Sequence, residues 1–228
     1  SDPAPAEAIL AQLAVAVSAL LPGRKVGSAT LAAPGALAAA LTAAGPGGAV
    51  FPLFMAGGWF TRVHLPGQLV KAGAVDWRVL EPFGCLEAVQ DLAVQLVLES
   101  GAEEAIIAAH GSFKSPVPAA IAGRVAGMVA AQGRRAVCGF IDQEPRLADL
   151  QGFGAGAVCL PFFAAEGGHV VQDIPAALAE AGIAAHVAEV REDKKRGLVA
   201  RLARNAPVDE ARVTAVLGDF TGPWEWTD

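Results

Sequence analysis

Two histidines and one aspartate are the residues of this sequence best suited to do chemistry together. His110 and Asp142 each follow an apolar run, and His169 lies in a Gly-Gly-His loop after a third such run. Because ligand sites of parallel sheets lie at the carboxyl ends of the strands, we expect the three side chains at one edge. Neutral imidazoles and a carboxylate suit a divalent ion or the abstraction of a proton. The alternative is that each histidine only hydrogen-bonds backbone at a strand end.

The elements that must position these side chains alternate between helices and strands. In the second half of the chain, apolar runs typical of strands lie near residues 105–109, 135–141, 156–161 and 184–190, separated by Ala-rich or Pro-entered helices. The runs are apolar on both faces, which is typical of a parallel sheet covered by helices on both sides. The sequence therefore predicts an α/β fold.

A long internal repeat indicates that this pattern occurs twice. Residues 52–58 match residues 161–167 at an offset of 109, and the match continues into the helices that follow. The repeat predicts two similar doubly wound parallel-sheet domains with an interdomain cleft, residues 1–103 and 104–228. Further upstream the offset is 111, which places Ser112 on Ser1, so the strand before Ser112 has no counterpart. We expect a short leading segment to carry that strand; the alternative is a chain that never had it.

Composition excludes several classes of function. The 228 residues include 17 Lys plus Arg and 23 Asp plus Glu, a net charge of −6 that disfavours binding to nucleic acid. Residues 26–61 carry no charge, but proline and glycine interrupt them too often for a helix that spans a membrane. The N-terminus lacks the basic start of a secretory signal, so we expect a cytoplasmic protein. Cys85, Cys138 and Cys159 form no Cys-x-x-Cys pair and are expected to be free thiols.

The histidine motifs resemble those of a known enzyme family. His110-Gly-Ser112, together with the run Pro-Phe-Phe-Ala-Ala-Glu-Gly-Gly-His-Val-Val-Gln-Asp-Ile-Pro at residues 161–175, is similar to the sirohydrochlorin chelatase family. The resemblance covers both halves and is typical of the long form, in which two chelatase-like units are fused. It implies a chelatase that inserts Fe²⁺ or Co²⁺ into sirohydrochlorin, in siroheme or cobalamin biosynthesis. The divalent metal would be a substrate, and no tightly bound cofactor is implied.

The resemblance assigns roles to the three candidate residues. It implies that His110 and His169 are the catalytic pair, and that they bind the metal with Asp142. Relatives usually carry Glu at the position of Asp142. The Asp of this chain has a side chain that is one methylene shorter. Asp142 would offset the charge of the ion or orient a histidine.

The first half departs from the motif. Phe60 occupies the position of His169, and His64 that of Asp173. We therefore expect one active site per chain, in the second half. Asp173 itself precedes a helix entered at Pro175, where the carboxylate is expected to cap free N–H groups.

A flat macrocycle with several carboxylates requires apolar walls and cations. Trp59 and Phe60 are predicted to flank it across the cleft from Gly168, or alternatively to pack in the interdomain core. Lys114, Arg62 and Arg124 are candidates for the carboxylates of the substrate, beside the backbone N–H groups of Gly111 and Ser112. The alternative for each cation is an ordinary surface charge.

Two other functions stay open beside the chelatase. The first is a non-catalytic carrier of tetrapyrrole or metal on the same scaffold, and the second is a two-domain protein that binds sugar or phosphate and has incidental histidines. The paired histidines favour the enzyme, because a carrier does not need a base. The sequence leaves open iron or cobalt, and a monomer or a homodimer.

Overall fold

The structure is a computed structural model that describes residues 4–165, 167–188 and 212–217; for 4–6 and 212–217 it gives the backbone only. The helices are α1 (Ala4–Leu20), α2 (Ala36–Ala44), α3 (Leu65–Lys71), α4 (Glu87–Glu99), α5 (Val117–Ala130) and α6 (Ile174–Glu180). The strands are β1 (Lys25–Thr30), β2 (Gly48–Pro52), β3 (Trp77–Val79), β4 (Glu104–Ala109), β5 (Arg135–Phe140), β6 (Val158–Pro161), β7 (His186–Val187) and β8 (Arg212–Leu217). Short π-helical turns cover Phe60–His64 and His169–Asp173, and 3₁₀ turns cover Phe83–Cys85 and Leu147–Asp149.

The strands form two four-stranded sheets with the orders β1-β8-β2-β3 and β5-β4-β6-β7. Every pairing in both sheets is parallel. Parallel strands need long crossovers, and α2, α3, α5 and α6 lie in the crossovers from β1 to β2, β2 to β3, β4 to β5 and β6 to β7. The predicted α/β class with parallel sheets is confirmed.

The chain divides into two compact units. Within the described residues, the first unit comprises 4–53, 63–80 and 212–217, and the second comprises 54–62 and 81–188. The boundary predicted between residues 103 and 104 lies inside the second unit. Helix α4 belongs to the second unit because Val97 and Ala93 pack in one core cluster with Val125 of α5.

Strand β4 is the centre of the second unit. Residues 105–109 are all buried, and alternate residues point to opposite faces of the sheet. Ile107 packs in a cluster with α4 and α5, whereas Ile106 packs with Ile174 and Leu178 of α6 on the other face. This two-sided burial explains why the run is apolar without alternation.

The register of this sheet brings three strand ends to one edge. β4 pairs with β5 from Glu104 opposite Arg135 to Ala109 opposite Phe140, and with β6 up to Ala108 opposite Pro161. Hydrogen bonds continue beyond the strands, since Asp142 N donates to His110 O at 2.9 Å. The loops that carry His110 and Asp142 therefore leave the same edge.

The opposite edge is held by an ionic cluster. Arg135 donates to Glu104 Oε1 at 2.6 Å and lies over the Phe153 ring at 4.1 Å. Glu104 also accepts the Gly154 N–H, and these two hydrogen bonds lower the pKa of the Glu104 carboxyl. The cluster anchors the loop before β6, and so fixes where β6 begins.

The offset of 109 residues recurs in the bounds of several elements. The turn Phe60–His64 and helix α3 lie 109 residues before the turn His169–Asp173 and helix α6, residue for residue, and β2 and β6 end at the equivalent prolines Pro52 and Pro161. The repeat in the sequence thus corresponds to equal local structure at these positions.

One position of the first sheet is filled in an unexpected way. β4 lies between β5 and β6 in the second sheet, and β8 lies between β1 and β2 in the first. The repeat predicts no strand of this chain at that position, whereas the structure places the C-terminal strand β8 there. The offset of the repeat predicts this strand upstream of β1, whereas β8 lies at the other end of the described chain.

The uncharged segment 26–61 is divided among β1, α2, β2, the start of the turn Phe60–His64 and the loops between these elements. In the part of the chain that the structure describes, none of the helices combines the length and the apolar character that crossing a bilayer requires.

Candidate active site

His110 begins the loop after β4, and its ring is fixed by its neighbour. Its Nδ1 lies 3.1 Å from the carbonyl oxygen of Gly111. A carbonyl oxygen only accepts, so Nδ1 carries the hydrogen in this contact. The neutral ring then presents a lone pair at Nε2.

His169 begins the π-helical turn that leads into α6, and its ring is fixed by a carboxylate. Its Nδ1 lies 2.6 Å from Asp173 Oδ2. An ionised carboxylate accepts hydrogen bonds and cannot donate them, so Nδ1 carries the hydrogen here as well. Phe163 stacks on the ring at a centroid distance of 5.9 Å. The prediction that Asp173 caps the helix is wrong, because its side chain makes no capping hydrogen bond and has turned to His169 instead.

The two imidazoles meet edge to face. Their ring centroids are 4.9 Å apart with an angle of 89° between the planes. The side chains keep 26% of their surface exposed at His110 and 17% at His169. The structure therefore brings together the pair that the sequence predicts, and leaves both rings partly open.

Both rings present the same nitrogen. Because each Nδ1 donates to an oxygen, each neutral ring keeps its lone pair on Nε2. Nε2 of His169 is buried and has no hydrogen-bond partner among the described residues. A buried polar atom without a partner costs about 1–3 kcal/mol, so this nitrogen is stabilised by any ligand that reaches it.

Asp142 faces the free nitrogen of the other ring. Its Oδ2 lies 3.5 Å from His110 Nε2, and 49% of its side chain is exposed. A lone pair and a carboxylate oxygen repel each other unless a proton or a cation lies between them. The contact is therefore a place that favours a positive charge.

The predicted set of three metal ligands is not assembled as such. Within residues 4–165 and 167–188, no group of three or more His, Cys, Asp or Glu side chains is arranged to hold an ion. The structure forms two pairs instead, His110 with Asp142 and His169 with Asp173.

The three thiols are poorly suited to bind the metal, because their pKa values are raised. Burial raises the pKa of Cys138 to about 11 and that of Cys159 to about 12. The pKa of Cys85 is raised as well, mainly by burial. All three cysteines are free, and at neutral pH they are protonated and poor metal ligands.

A side chain that the sequence analysis missed shapes the loop of His110. Gln143 accepts the N–H of Ser112 at 2.7 Å through Oε1, and its Cγ lies against Gly111. Gly111 has φ +79°, and a Cβ there would lie 2.5 Å from Gln143 Cγ. The backbone N–H of Ser112 thus donates to Gln143, and its predicted contact with the substrate stays a prediction.

The other residues predicted to contact the substrate have fewer contacts within the protein, on this loop and elsewhere in the unit. The Ser112 hydroxyl oxygen accepts from the backbone N–H groups of Lys114 and Ser115, both at 3.2 Å, and its own hydrogen is left to donate. Lys114 is exposed beside it, and Arg124 is exposed on α5. Gly168 has ordinary helical angles, and a Cβ there would meet open space.

Residues 54–62 belong to the same unit as the histidines and carry the predicted aromatic wall. Trp59 meets the Phe60 ring edge-on at 5.4 Å, and Phe60 stacks on Phe54 at 6.0 Å. Trp59 is 49% exposed. Arg62 pairs with Glu81 at 2.9 Å, so this predicted cation already has a carboxylate partner.

Signals for the missed residues were weak. Asp173 carries the signal of a helix cap, and nothing in a sequence separates that role from a contact one turn back. Gln143 is an amide next to Asp142, and its partner Ser112 lies 31 residues earlier. Only the pairing of β4 with β5 brings these two residues together.

A comparison with solved structures gives a strong match. No family model matches the chain, and no curated protein matches it. Among solved structures, the chain is similar to CbiX, described as the terminal enzyme for the biosynthesis of siroheme in denitrifying bacteria. The identity is 36% and the TM-score 0.80, over 90% of this chain and 94% of that one.

A second similarity is more distant. DR2241 from Deinococcus radiodurans, a multi-domain protein with structural similarity to chelatases, matches with 18% identity and a TM-score of 0.49, over 71% of this chain and 43% of that one. A likeness at this level carries no argument about function. The match to CbiX does, because it spans almost all of both chains. The chain belongs to the sirohydrochlorin chelatase family, the family of CbiX.

Proposed function

We propose that this protein is a metal chelatase that inserts a divalent ion into sirohydrochlorin. The observation that supports this most is the pair of imidazoles, 4.9 Å apart, whose Nδ1 atoms are both engaged and whose Nε2 atoms are both left to act. Membership of the CbiX family supports the substrate. CbiX is the terminal enzyme of siroheme biosynthesis, so we propose Fe²⁺ as the ion and siroheme as the product. Insertion of Co²⁺ toward cobalamin is the alternative.

The reaction needs a base and a place for the ion to lose water. Two pyrrole N–H bonds break, four metal–nitrogen bonds form, and two protons leave. An Nε2 lone pair can accept a proton or bind the ion while it is transferred. The carboxylate of Asp142 offsets the positive charge that arrives at His110 in either event. The site has two His–Asp pairs and no closed cluster of three ligands among the described residues. Such an arrangement suits an ion that must be released to the macrocycle.

The remaining parts of the proposal follow from the same chemistry. The ion is a substrate, so no tightly bound cofactor is required. Lys114 and the Ser112 hydroxyl are proposed to contact carboxylates of the substrate, and Trp59 and Phe60 are proposed to contact its ring. We propose that the protein works in the cytoplasm, as a monomer or a homodimer, without nucleic acid or membrane.

The test is metal insertion followed by the change in the absorption spectrum of sirohydrochlorin. Wild-type protein is mixed anaerobically with sirohydrochlorin and Fe²⁺ or Co²⁺, and the rate is compared with that of the free reaction. His110→Ala and His169→Ala should each lose about 10²-fold or more, since a positioned base contributes roughly that much. His186→Gln, an exposed histidine in β7, is the matched control and should keep the wild-type rate.

Two results would defeat the proposal. A wild-type rate no faster than the free reaction, together with stoichiometric binding of sirohydrochlorin, would identify a carrier. Full activity in His169→Ala would mean that the chemistry takes place elsewhere.

A further inference from the structure

We propose that Asp173 is a positioning residue, which holds His169 as the Nδ1–H tautomer and so directs its Nε2 lone pair toward the metal and the macrocycle. The direction of the lone pair toward a metal rests on the proposed function, whereas the tautomer of His169 does not. Asp173 is not a catalytic residue here, because it acts through His169.

The contact is stronger than an ordinary surface hydrogen bond. Nδ1 and Oδ2 are 2.6 Å apart, slightly below the usual range of about 2.7–2.9 Å for charge-assisted N–H···O bonds. His169 and Asp173 are four residues apart on one helical turn, so their side chains lie on the same side of it. Phe163 stacks on the ring and limits its rotation. Ring plane and tautomer are thus fixed by two different neighbours.

The carboxylate has no competing structural task in its own helix. Asp173 precedes α6 with φ −72° and ψ −41°, which are helical angles, and its side chain caps no backbone N–H. Side chains that cap helices normally do so from extended backbone angles. The conformation of Asp173 therefore serves the contact with His169 and not the helix.

The chain contains its own comparison. The turn Phe60–His64 is also π-helical and also leads into a seven-residue helix with proline near its start. It carries Phe60 in place of His169 and His64 in place of Asp173, and there the pair cannot form. Because the same turn folds without the pair, the pair is not needed to make the turn. Its role is in what it does to His169.

Orienting carboxylates of this kind are worth about 10–100-fold in affinity or activity. Asp173→Ala removes the acceptor, and we expect His169 to become a mixture of tautomers. The rate of metal insertion should then fall about 10–100-fold in kcat, with little change in the KM for sirohydrochlorin. The reason is that the lone pair occupies Nε2 for only part of the time.

The tautomer is read from the ¹⁵N chemical shifts of His169 in histidine-labelled protein, without substrate or metal. Wild type should show a protonated Nδ1 and an unprotonated Nε2 once the ring is neutral. Gln172→Ala, an exposed neighbour on the same turn, is the matched control and should change neither the shifts nor the rate. Circular dichroism and the Tm check that each variant is folded.

The outcomes separate the two proposals. Protonated Nε2 in wild type, an unchanged tautomer in Asp173→Ala, or a changed tautomer with full activity would each overturn the positioning role. If wild type inserts no metal but Asp173→Ala loses the tautomer, Asp173 still sets the tautomer of His169, and the proposed function has failed independently.

Discussion

At the scale of single residues, the two imidazoles differ in what surrounds the nitrogen they leave open. Nε2 of His110 faces the half-exposed carboxylate of Asp142, whereas Nε2 of His169 is buried. We infer that an ion from solvent meets the exposed carboxylate of Asp142 beside His110, and that the ring of His169, 4.9 Å from that of His110, contacts the same ion. In this order Asp142 governs capture of the ion, and His169 governs its transfer to the macrocycle.

This order makes Asp142 a test of capture. Asp142→Asn removes the negative charge and gives a side-chain N–H that can occupy His110 Nε2. We expect the KM for the metal to rise about 10-fold or more with a smaller change in kcat, since losing such a carboxylate typically costs 10–100-fold. The measurement is the initial rate at varied Co²⁺ and saturating sirohydrochlorin.

Two further variants sharpen the reading. Asp142→Glu should recover most of the affinity, because it restores the charge. Asp149→Asn removes an exposed carboxylate elsewhere in the same unit and should leave the KM unchanged. A wild-type metal KM in Asp142→Asn would exclude a role for this carboxylate in capture.

The sequence predicts the residues of the site better than their contacts. His110 and Asp142 could be placed together because parallel strands end at one edge, and that rule needs only the positions of the apolar runs. The partner of Asp173 could not be predicted, since the choice between a helix N–H and a ring nitrogen depends on the backbone angles at residue 173. The contacts predicted for Trp59 and Phe60 with substrate remain predictions.

At the scale of elements, the loop after β4 is the most constrained part of the site. Gly111 turns with φ +79°, and Gln143 and Phe140 fill the space where a Cβ would be. Only glycine adopts this conformation without strain. The same turn supplies the carbonyl oxygen that holds His110 Nδ1. Loop geometry and histidine tautomer are therefore coupled.

Gly111→Ala should damage stability and activity together. A strained left-handed residue costs about 1–3 kcal/mol in free energy of unfolding, and the clash with Gln143 adds to it. We expect a lower midpoint in urea, and a loss of metal insertion at temperatures where the variant is still folded. Unfolding curves and rates measured on the same preparation would show both.

A second glycine provides the opposite expectation. Gly123 lies inside α5, and a Cβ there meets nothing within 4 Å. Gly123→Ala should raise the free energy of unfolding by about 0.5–1 kcal/mol and leave the rate unchanged. A Gly111→Ala variant as stable and active as Gly123→Ala would mean that the loop does not hold His110.

Strands were predicted more closely than turns. The runs predicted at 105–109 and 135–141 correspond to β4 (Glu104–Ala109) and β5 (Arg135–Phe140). β4 is buried throughout residues 105–109, which explains its continuous apolar run, whereas β5 is fully buried only at Gly139 and Phe140. The segment around His169 was predicted as a loop, yet residues 169–173 form a π-helical turn. Two glycines before His169 give the signal of a loop, whereas hydrogen bonding in the helix that follows extends the helical path back to it.

At the scale of the whole molecule, each unit has its own four-stranded parallel sheet, and the described histidine pair lies in the second unit. The turn Phe60–His64 and helix α3 lie at the equivalent positions of the repeat, but that turn does not carry the residues of the pair. The repeat could predict this local equivalence because its offset is constant there. It could not predict the pairing of β8 with β1 and β2, because a repeat offset carries no information about which distant segments pair.

The central claim is that His110 and His169 receive one ion together, and substoichiometric Co²⁺ tests it most directly. In histidine-labelled wild-type protein, paramagnetic Co²⁺ should broaden the ¹⁵N resonances of His110 and His169 in parallel. Those of His64 and His186, the other two of the four histidines, should stay sharp at the same concentration. Broadening of only one member of the pair, or of His64 or His186 first, would contradict the account.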